Sequence, residues 1–163
     1  MGETEKQEKR NRILVILVGI VLVFAAVVFA IRDGNIFGGG KVILSEEYVG
    51  EFKEYNDLSA EEYENLIGEE KSFVLFVDQN GCNTAVILKG FVEDWAREAG
   101  VKVQKIMFSE MRETTLHELV KYYPSVVIIN RGKVKAFLRA DEDEDAEIYN
   151  HYLVFKDWME QYI

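Results

Sequence analysis

One cysteine, one proline and two histidines are all that the chain has of these residues in 163 positions. A lone thiol, Cys82, can form neither an internal disulfide nor a multi-cysteine metal site, so any folded part is held together by its apolar core. His117 and His151 stand far apart without a ligand pattern around them, and no H-E-x-x-H or Ser-His-Asp context occurs. No metal and no cofactor is expected. Positive charge is also scarce. Nineteen Lys and Arg against 29 Asp and Glu give a formal net charge of −10, which opposes binding to nucleic-acid phosphates. With 48% hydrophobic residues the composition is still globular, which excludes wholesale disorder and collagen-like repeats.

One long apolar run is present. Residues 13–31 read ILVILVGIVLVFAAVVFAI, 19 positions without a charge. A helix rising ~1.5 Å per residue carries such a run across nearly the whole ~30 Å of hydrocarbon, with every backbone amide satisfied internally. Lys6, Lys9, Arg10 and Arg12 precede the run, and only Arg32 and Lys41 follow closely. The basic bias places a tail, 1–12, in the cytoplasm and the remainder outside. Val28 and Ala30 are small enough for a signal-peptidase site, but a signal's apolar region is usually only ~7–15 residues, and an uncleaved single-pass anchor is favoured. Gly2 is a poor myristoylation site because Lys6 stands where Ser or Thr is required.

Residues 32–48 contain Gly34, Gly38, Gly39 and Gly40 and are read as a flexible tether. Gly39-Gly40-Lys41 is not a phosphate loop, since Val42 replaces the Ser/Thr and Asn35 the first glycine. From Arg32 onward 15 Lys and Arg face 26 Asp and Glu, a net charge of −11. An outer domain, 49–163, is therefore repelled by anionic lipid and expected to stand off the membrane.

Within that domain the signals alternate. Residues 53–57 make a strand, and Ser59-Ala60-Glu61-Glu62 is a capping box opening a helix that ends at Gly68. Residues 73–77, all apolar, make a strand covered on both faces. Ile87, Leu88, Phe91, Val92, Trp95 and Ala99 keep helical spacing over 83–99, and Gly100 stops that helix. Residues 101–108 form the next strand, and Thr115-Leu116-His117-Glu118 is a second capping box whose helix runs through Tyr122. After Pro124 come strand 125–129, the turn Asn130-Arg131-Gly132 and an antiparallel partner, 133–138. Ile148, Tyr152, Phe155, Met159 and Tyr162 mark one continuous last helix. The order predicts an α/β fold, a central mixed sheet with helices on both faces, ending in a hairpin.

Between the central strand and the long helix lies Asp78-Gln79-Asn80-Gly81-Cys82-Asn83-Thr84-Ala85. A thiol here stands at a helix N-terminus, where unpaired amide N–H groups and the helix dipole favour the nucleophilic thiolate. On these residues the chain resembles the thioredoxin superfamily, whose first strand-to-helix turn carries C-x-x-C and whose following hairpin is opened by a cis proline. Cys82 and Pro124 occupy those two places, and Gly90 stands where many members have a helix-kinking proline. The resemblance implies a substrate flanked by Gly81, Asn83, Thr84, Tyr123 and Pro124. The pattern departs from the family at three points: the second cysteine is Ala85, the frequent buried acid falls at Phe76, and the Trp before the cysteine is Gly81.

Ala85 cannot release a mixed disulfide, so autonomous dithiol turnover is excluded. Three roles remain open: single-cysteine thiol–disulfide exchange through Cys82 with an envelope protein or a small thiol, peptide binding in a groove beside Pro124 without redox chemistry, and an envelope scaffold in which Cys82 is incidental. A bacterial cell-envelope protein is expected. Tyr122 and Tyr123, next to Pro124, are further groove candidates. The acidic run from Asp141 to Asp145 resembles a calcium loop, but Ala146 replaces the required Gly and Tyr152 the terminal Glu. It is read as an acidic turn at the positive end of the last helix.

Overall fold

Five consecutive side chains of β2 (Phe73–Asp78) are buried, and so are five of β4 (Ser125–Asn130). Strand side chains alternate between faces, so a strand buried throughout must be covered on both. On one face Val74, Phe76, Val126 and Ile128 pack with Leu88, Val92, Trp95, Ile148, Phe155 and Met159. On the other, Phe73, Leu75, Val77, Val127 and Ile129 pack with Tyr63, Met111, Leu116 and Val120.

These facts come from a computed structural model that describes residues 40–163. The expected cytoplasmic tail, the membrane helix at 13–31 and most of the tether lie outside the described residues. Among the described residues no helix is long and apolar enough to cross a membrane.

The sheet has five strands in the order β1-β3-β2-β4-β5. β1 (Asn56–Leu58) and β2 pair parallel to β3 (Gln104–Met107), whereas β4 runs antiparallel to β2 and to β5 (Lys133–Phe137). The helices are α1 (Ala60–Gly68), α2 (Asn83–Ala99), α3 (Phe108–Met111), α4 (Ala146–Asn150) and α5 (Tyr152–Tyr162). The capping box of α1 is formed as expected, with Ser59 and Glu62 bonding reciprocally. The mixed α/β architecture with helices on both faces follows the expectation.

Five expectations need correction. The tether, expected over 32–48, gives way to packed structure at Lys41: the Val42 amide donates to the Tyr162 carbonyl, Ser45 to Ser72 at 2.9 Å, and the side chains of Val42 and Tyr48 are buried. The first and third strands are shorter than the expected 53–57 and 101–108. β1 starts at Asn56, since Phe52 and Tyr55 pack into the core rather than extend the ladder. Val101 makes only an isolated bridge to Val49, and Phe108 already belongs to α3.

The second capping box does not form. Thr115 gives both its amide (2.6 Å) and its hydroxyl (3.0 Å) to Glu64 of α1, and Thr114 caps instead, so the segment is one 3₁₀ turn, Thr115–Glu118. The last helix is broken at His151, whose backbone is extended. Tyr149 and Phe155 are both buried in the core, yet six residues along one continuous helix would turn them roughly 120° apart. The break restores their common face.

The β4–β5 turn is tight. Arg131 and Gly132 both have positive φ, 50° and 69°. The Gly132 amide donates to the Lys71 carbonyl at 2.8 Å, and a Cβ on Gly132 would run into the Ile67 carbonyl oxygen. Gly132→Ala is expected to cost roughly 1–3 kcal/mol, from left-handed strain and that overlap together. Gly90, inside α2 with open space around its Cα, has the opposite sign: Gly90→Ala is expected to add about 0.5–1 kcal/mol. Urea unfolding midpoints of the two variants check both; a Gly132→Ala protein as stable as wild type would show that the turn has another way to close.

Candidate functional site

β2 leaves the core at Asp78, and the chain must turn sharply to begin α2. Gly81 supplies the turn with φ 76°, and Cys82 follows in extended conformation as the N-cap of α2. The Val86 amide donates to the Cys82 carbonyl at 3.3 Å, which closes the first turn. The Cys82 side chain makes no capping bond and is half-buried. The first turn of α2 contains no acidic residue, so nothing on the helix itself offsets the positive end of its dipole. Gly81, Asn83 and Thr84 are exposed, whereas Ala85 is buried, its methyl directed away from solvent.

The β2–β4 ladder ends with Val77 opposite Ser125, and the β2–β3 ladder with Asp78 opposite Met107. The Cys82 turn, Pro124 and Phe108 therefore share one end of the sheet. This is the end of an α/β sheet where ligands bind, outside the carboxyl ends of parallel strands at the point where connections diverge.

The Tyr123–Pro124 peptide is cis. Tyr123 is half-buried, its ring stacked on Phe108 with centroids 3.6 Å apart and planes at 28°. Pro124 is buried, its carbonyl accepting from the Tyr149 hydroxyl at 2.8 Å, and the Ser125 hydroxyl donates to the Leu138 carbonyl at 2.7 Å. Of the expected groove residues, Pro124 thus supplies a fixed backbone wall, and the exposed side chain beside it is Tyr122. Phe108 and Tyr149 were not expected here. Their contacts with residues 123 and 124 span long stretches of sequence and leave no local pattern.

The place of the family's buried acid holds aromatic packing instead. Phe76 is fully buried and lies 5.7 Å from the ring of Tyr55, whose hydroxyl donates to the Lys89 carbonyl at 3.2 Å. The Lys89 and Lys105 ammonium groups stand 5.6 and 5.7 Å from the same ring, within cation–π range. Burial, and after it the charges of Glu93 and Asp78, push the Tyr55 hydroxyl pKa well up. Phe76 has no proton to exchange with Cys82.

Among the described residues, two of the hollows lie at opposite ends of the sheet. The larger, about 610 Å³, is lined by Tyr48, Lys53, Asn56, Lys102 and Gln104, at the amino ends of β1 and β3 and so opposite Cys82. The smaller, about 290 Å³, lies between Leu119 and Tyr122 on one side and Phe137 to Asp141 on the other, at the Cys82 end. The acidic run resembling a calcium loop is engaged within the protein: Asp145 accepts the Arg139 amide at 2.6 Å and Glu142 the Arg139 guanidinium at 3.2 Å.

No family model matches the chain, and no curated protein matches it. Solved structures do. A point-mutant thioredoxin from Halobacterium salinarum superposes with a TM-score of 0.51 at 20% identity, over 70% of this chain and 95% of that one. Thioredoxin O1 from Arabidopsis thaliana, in its oxidized state, gives 0.50 at 14% identity, over 68% and 98%. The J-Trx1 fragment of ERdj5 gives 0.45 at 17% identity; this chain covers 51% of that fragment, which covers 66% of this chain. The described domain has the thioredoxin fold.

Tyr149 ties α4 to the residue that opens β4. Burial raises its hydroxyl pKa, with Asp145 and Asp141 adding to the rise, so it remains a donor. Tyr149→Phe leaves the buried Pro124 carbonyl without that bond and is expected to cost about 1–2 kcal/mol. Tyr55, Tyr63 and Tyr149 all have raised values, so the folded state holds these protons more tightly than the unfolded one. The stability they contribute is complete below pH about 10 and is lost above it. Unfolding followed from pH 8 to 11 should show that decline, with a smaller slope in Tyr149→Phe; an equal slope would remove Tyr149 from the account.

Proposed function

We propose that the chain is a membrane-anchored, extracytoplasmic thioredoxin-fold protein that performs single-cysteine thiol–disulfide exchange through Cys82. One observation carries this reading: Cys82 is the N-cap residue of the 17-residue α2 and its thiol makes no capping bond, at the sheet end shared with the cis Tyr123–Pro124 peptide. The Cys82 thiolate attacks one sulfur of a partner disulfide, a Cys82–partner disulfide forms, and the displaced sulfur leaves as a thiolate. With Ala85 in the resolving position, release requires a thiol from a second molecule, an envelope protein or a small thiol. Gly81, Asn83 and Thr84 give access to the sulfur, and the backbone around Tyr123 flanks the incoming chain. The anchor is the run 13–31, with the N-terminus cytoplasmic.

A second reading is favoured by the exposed apolar side chains. Val86 and Ile87 follow Cys82, and Leu119 and Tyr122 precede Pro124, all four 47% exposed or more. Such a rim suits recognition of a macromolecule without redox chemistry.

Capture under non-reducing conditions separates the two. Adducts that disappear in Cys82→Ser and on reduction support exchange, and capture equal in both proteins supports recognition alone. If iodoacetamide does not modify Cys82 in the folded chain, the thiol is closed to partners and the exchange reading fails.

A further inference from the structure

Asn80 is the only asparagine of the chain that a glycine follows. The other described asparagines precede Asp57, Leu66, Thr84, Arg131 and His151, each with a Cβ that hinders approach of its own amide nitrogen to the side chain before it. Three of them are also held: Asn56 donates to Gln104 at 2.6 Å, Asn130 accepts from Ser72 at 3.5 Å, and Asn150 donates to the Ala146 carbonyl at 2.8 Å. Asn80 lies in the turn between β2 and α2 and is exposed, as is Gly81. Among the described residues neither the Asn80 side chain nor the Gly81 amide has a hydrogen-bond partner. Gly81 has φ 76°, and the space where a Cβ would stand is empty to 4 Å. Between Asp78 and Glu93 the only charged residue is Lys89, so neither the turn nor the start of α2 carries a carboxylate.

We infer that Asn80-Gly81 is a self-modifying site, in which the free Gly81 nitrogen converts Asn80 through a succinimide into an aspartyl or isoaspartyl residue and so attenuates the neighbouring Cys82. The Gly81 nitrogen, losing its proton, attacks the side-chain carbonyl carbon of Asn80. A C–N bond closes a five-membered ring, the bond to the side-chain nitrogen breaks, and ammonia leaves with the proton. Water then opens the ring and leaves a carboxylate; nothing is oxidised or reduced. Opening at the side-chain carbonyl gives the aspartyl form, and opening at the backbone carbonyl gives the isoaspartyl form, whose main chain is one CH2 longer. Either product puts a negative charge two residues from Cys82, and a like charge disfavours the thiolate that attacks disulfides. The same carboxylate suits the positive end of α2, so the domain accepts it without unfolding. The conversion stands without the exchange reading, whereas its effect on Cys82 rests on that reading.

The test ages full-length protein in mildly alkaline buffer, folded and in urea, and reads the tryptic peptide Ser72–Lys89 by fragment mass spectrometry. The mass gain of exchanging NH2 for OH should appear at Asn80 in the folded protein and at neither Gln79 nor Asn83, with aspartyl and isoaspartyl forms resolved by chromatography. Gly81→Ala should slow the conversion by roughly tenfold, because a methyl group then hinders ring closure. An Asn80 that stays unchanged in the folded chain while the urea sample converts overturns the inference, and so does equal conversion at Asn83. For the effect on the sulfur, iodoacetamide alkylation of Cys82 at fixed pH should be about two- to fivefold slower in Asn80→Asp than in the neutral Asn80→Ser. Equal rates overturn the attenuation and leave the conversion in place. No alkylation in wild type or either variant removes the exchange reading and the attenuation together, and the mass gain at Asn80 still decides the conversion. Circular dichroism of each variant separates a change at the turn from loss of the fold.

Discussion

The pairing of β2 with β4 is the constraint on which the rest of the structure depends. β2 is parallel to β3 on one edge and antiparallel to β4 on the other, and both β2 and β4 are buried on two faces. A one-residue slip would exchange the two faces of β4 and move Val126 and Ile128 out of the layer they share with α2, α4 and α5. The register is therefore fixed by hydrophobic burial. Once it is fixed, Val77 stands opposite Ser125, and the turn to Cys82 and the bend at Pro124 meet at one end of the sheet.

Polar contacts then hold that end where burial alone would leave it loose. The Tyr149 hydroxyl satisfies the buried Pro124 carbonyl, and Ser125 satisfies that of Leu138. Tyr123 leans on Phe108, whose other neighbour is the Arg112 guanidinium, 5.8 Å from its ring. The wall of the groove is thus supported by α4 on one side and α3 on the other. Cys82, by contrast, is half-buried at the start of α2, with no capping bond from its side chain.

Much of this was legible in local patterns. The apolar runs 73–77 and 125–129 fall inside β2 and β4, because a strand buried on both faces needs nothing more specific than consecutive apolar residues. The helix 83–99 was bounded correctly at both ends, since Gly100 takes the left-handed conformation that stops it. What failed depended on distant partners. Thr115 looked like a cap, but Glu64, 51 residues earlier, takes its amide and hydroxyl. Residues 32–48 looked like a tether throughout, yet Val42 bonds to Tyr162, 120 residues later. The site divided in the same way: the place of Cys82 before α2 follows from element order, whereas the burial of Pro124 and the partner of its carbonyl do not.

Two of the three departures at the site, Ala85 and Phe76, have one physical consequence. A thiol-exchange site that turns over by itself needs a second sulfur to release the adduct, and benefits from a buried acid to exchange protons. Here Ala85 fills the first place with a buried methyl, and Phe76 fills the second with a ring packed against Tyr55. Both replacements are apolar and well packed, so neither is a vacancy left for another group. An adduct formed at Cys82 would then persist until an external thiol reached it, and its lifetime would depend on what holds the partner nearby.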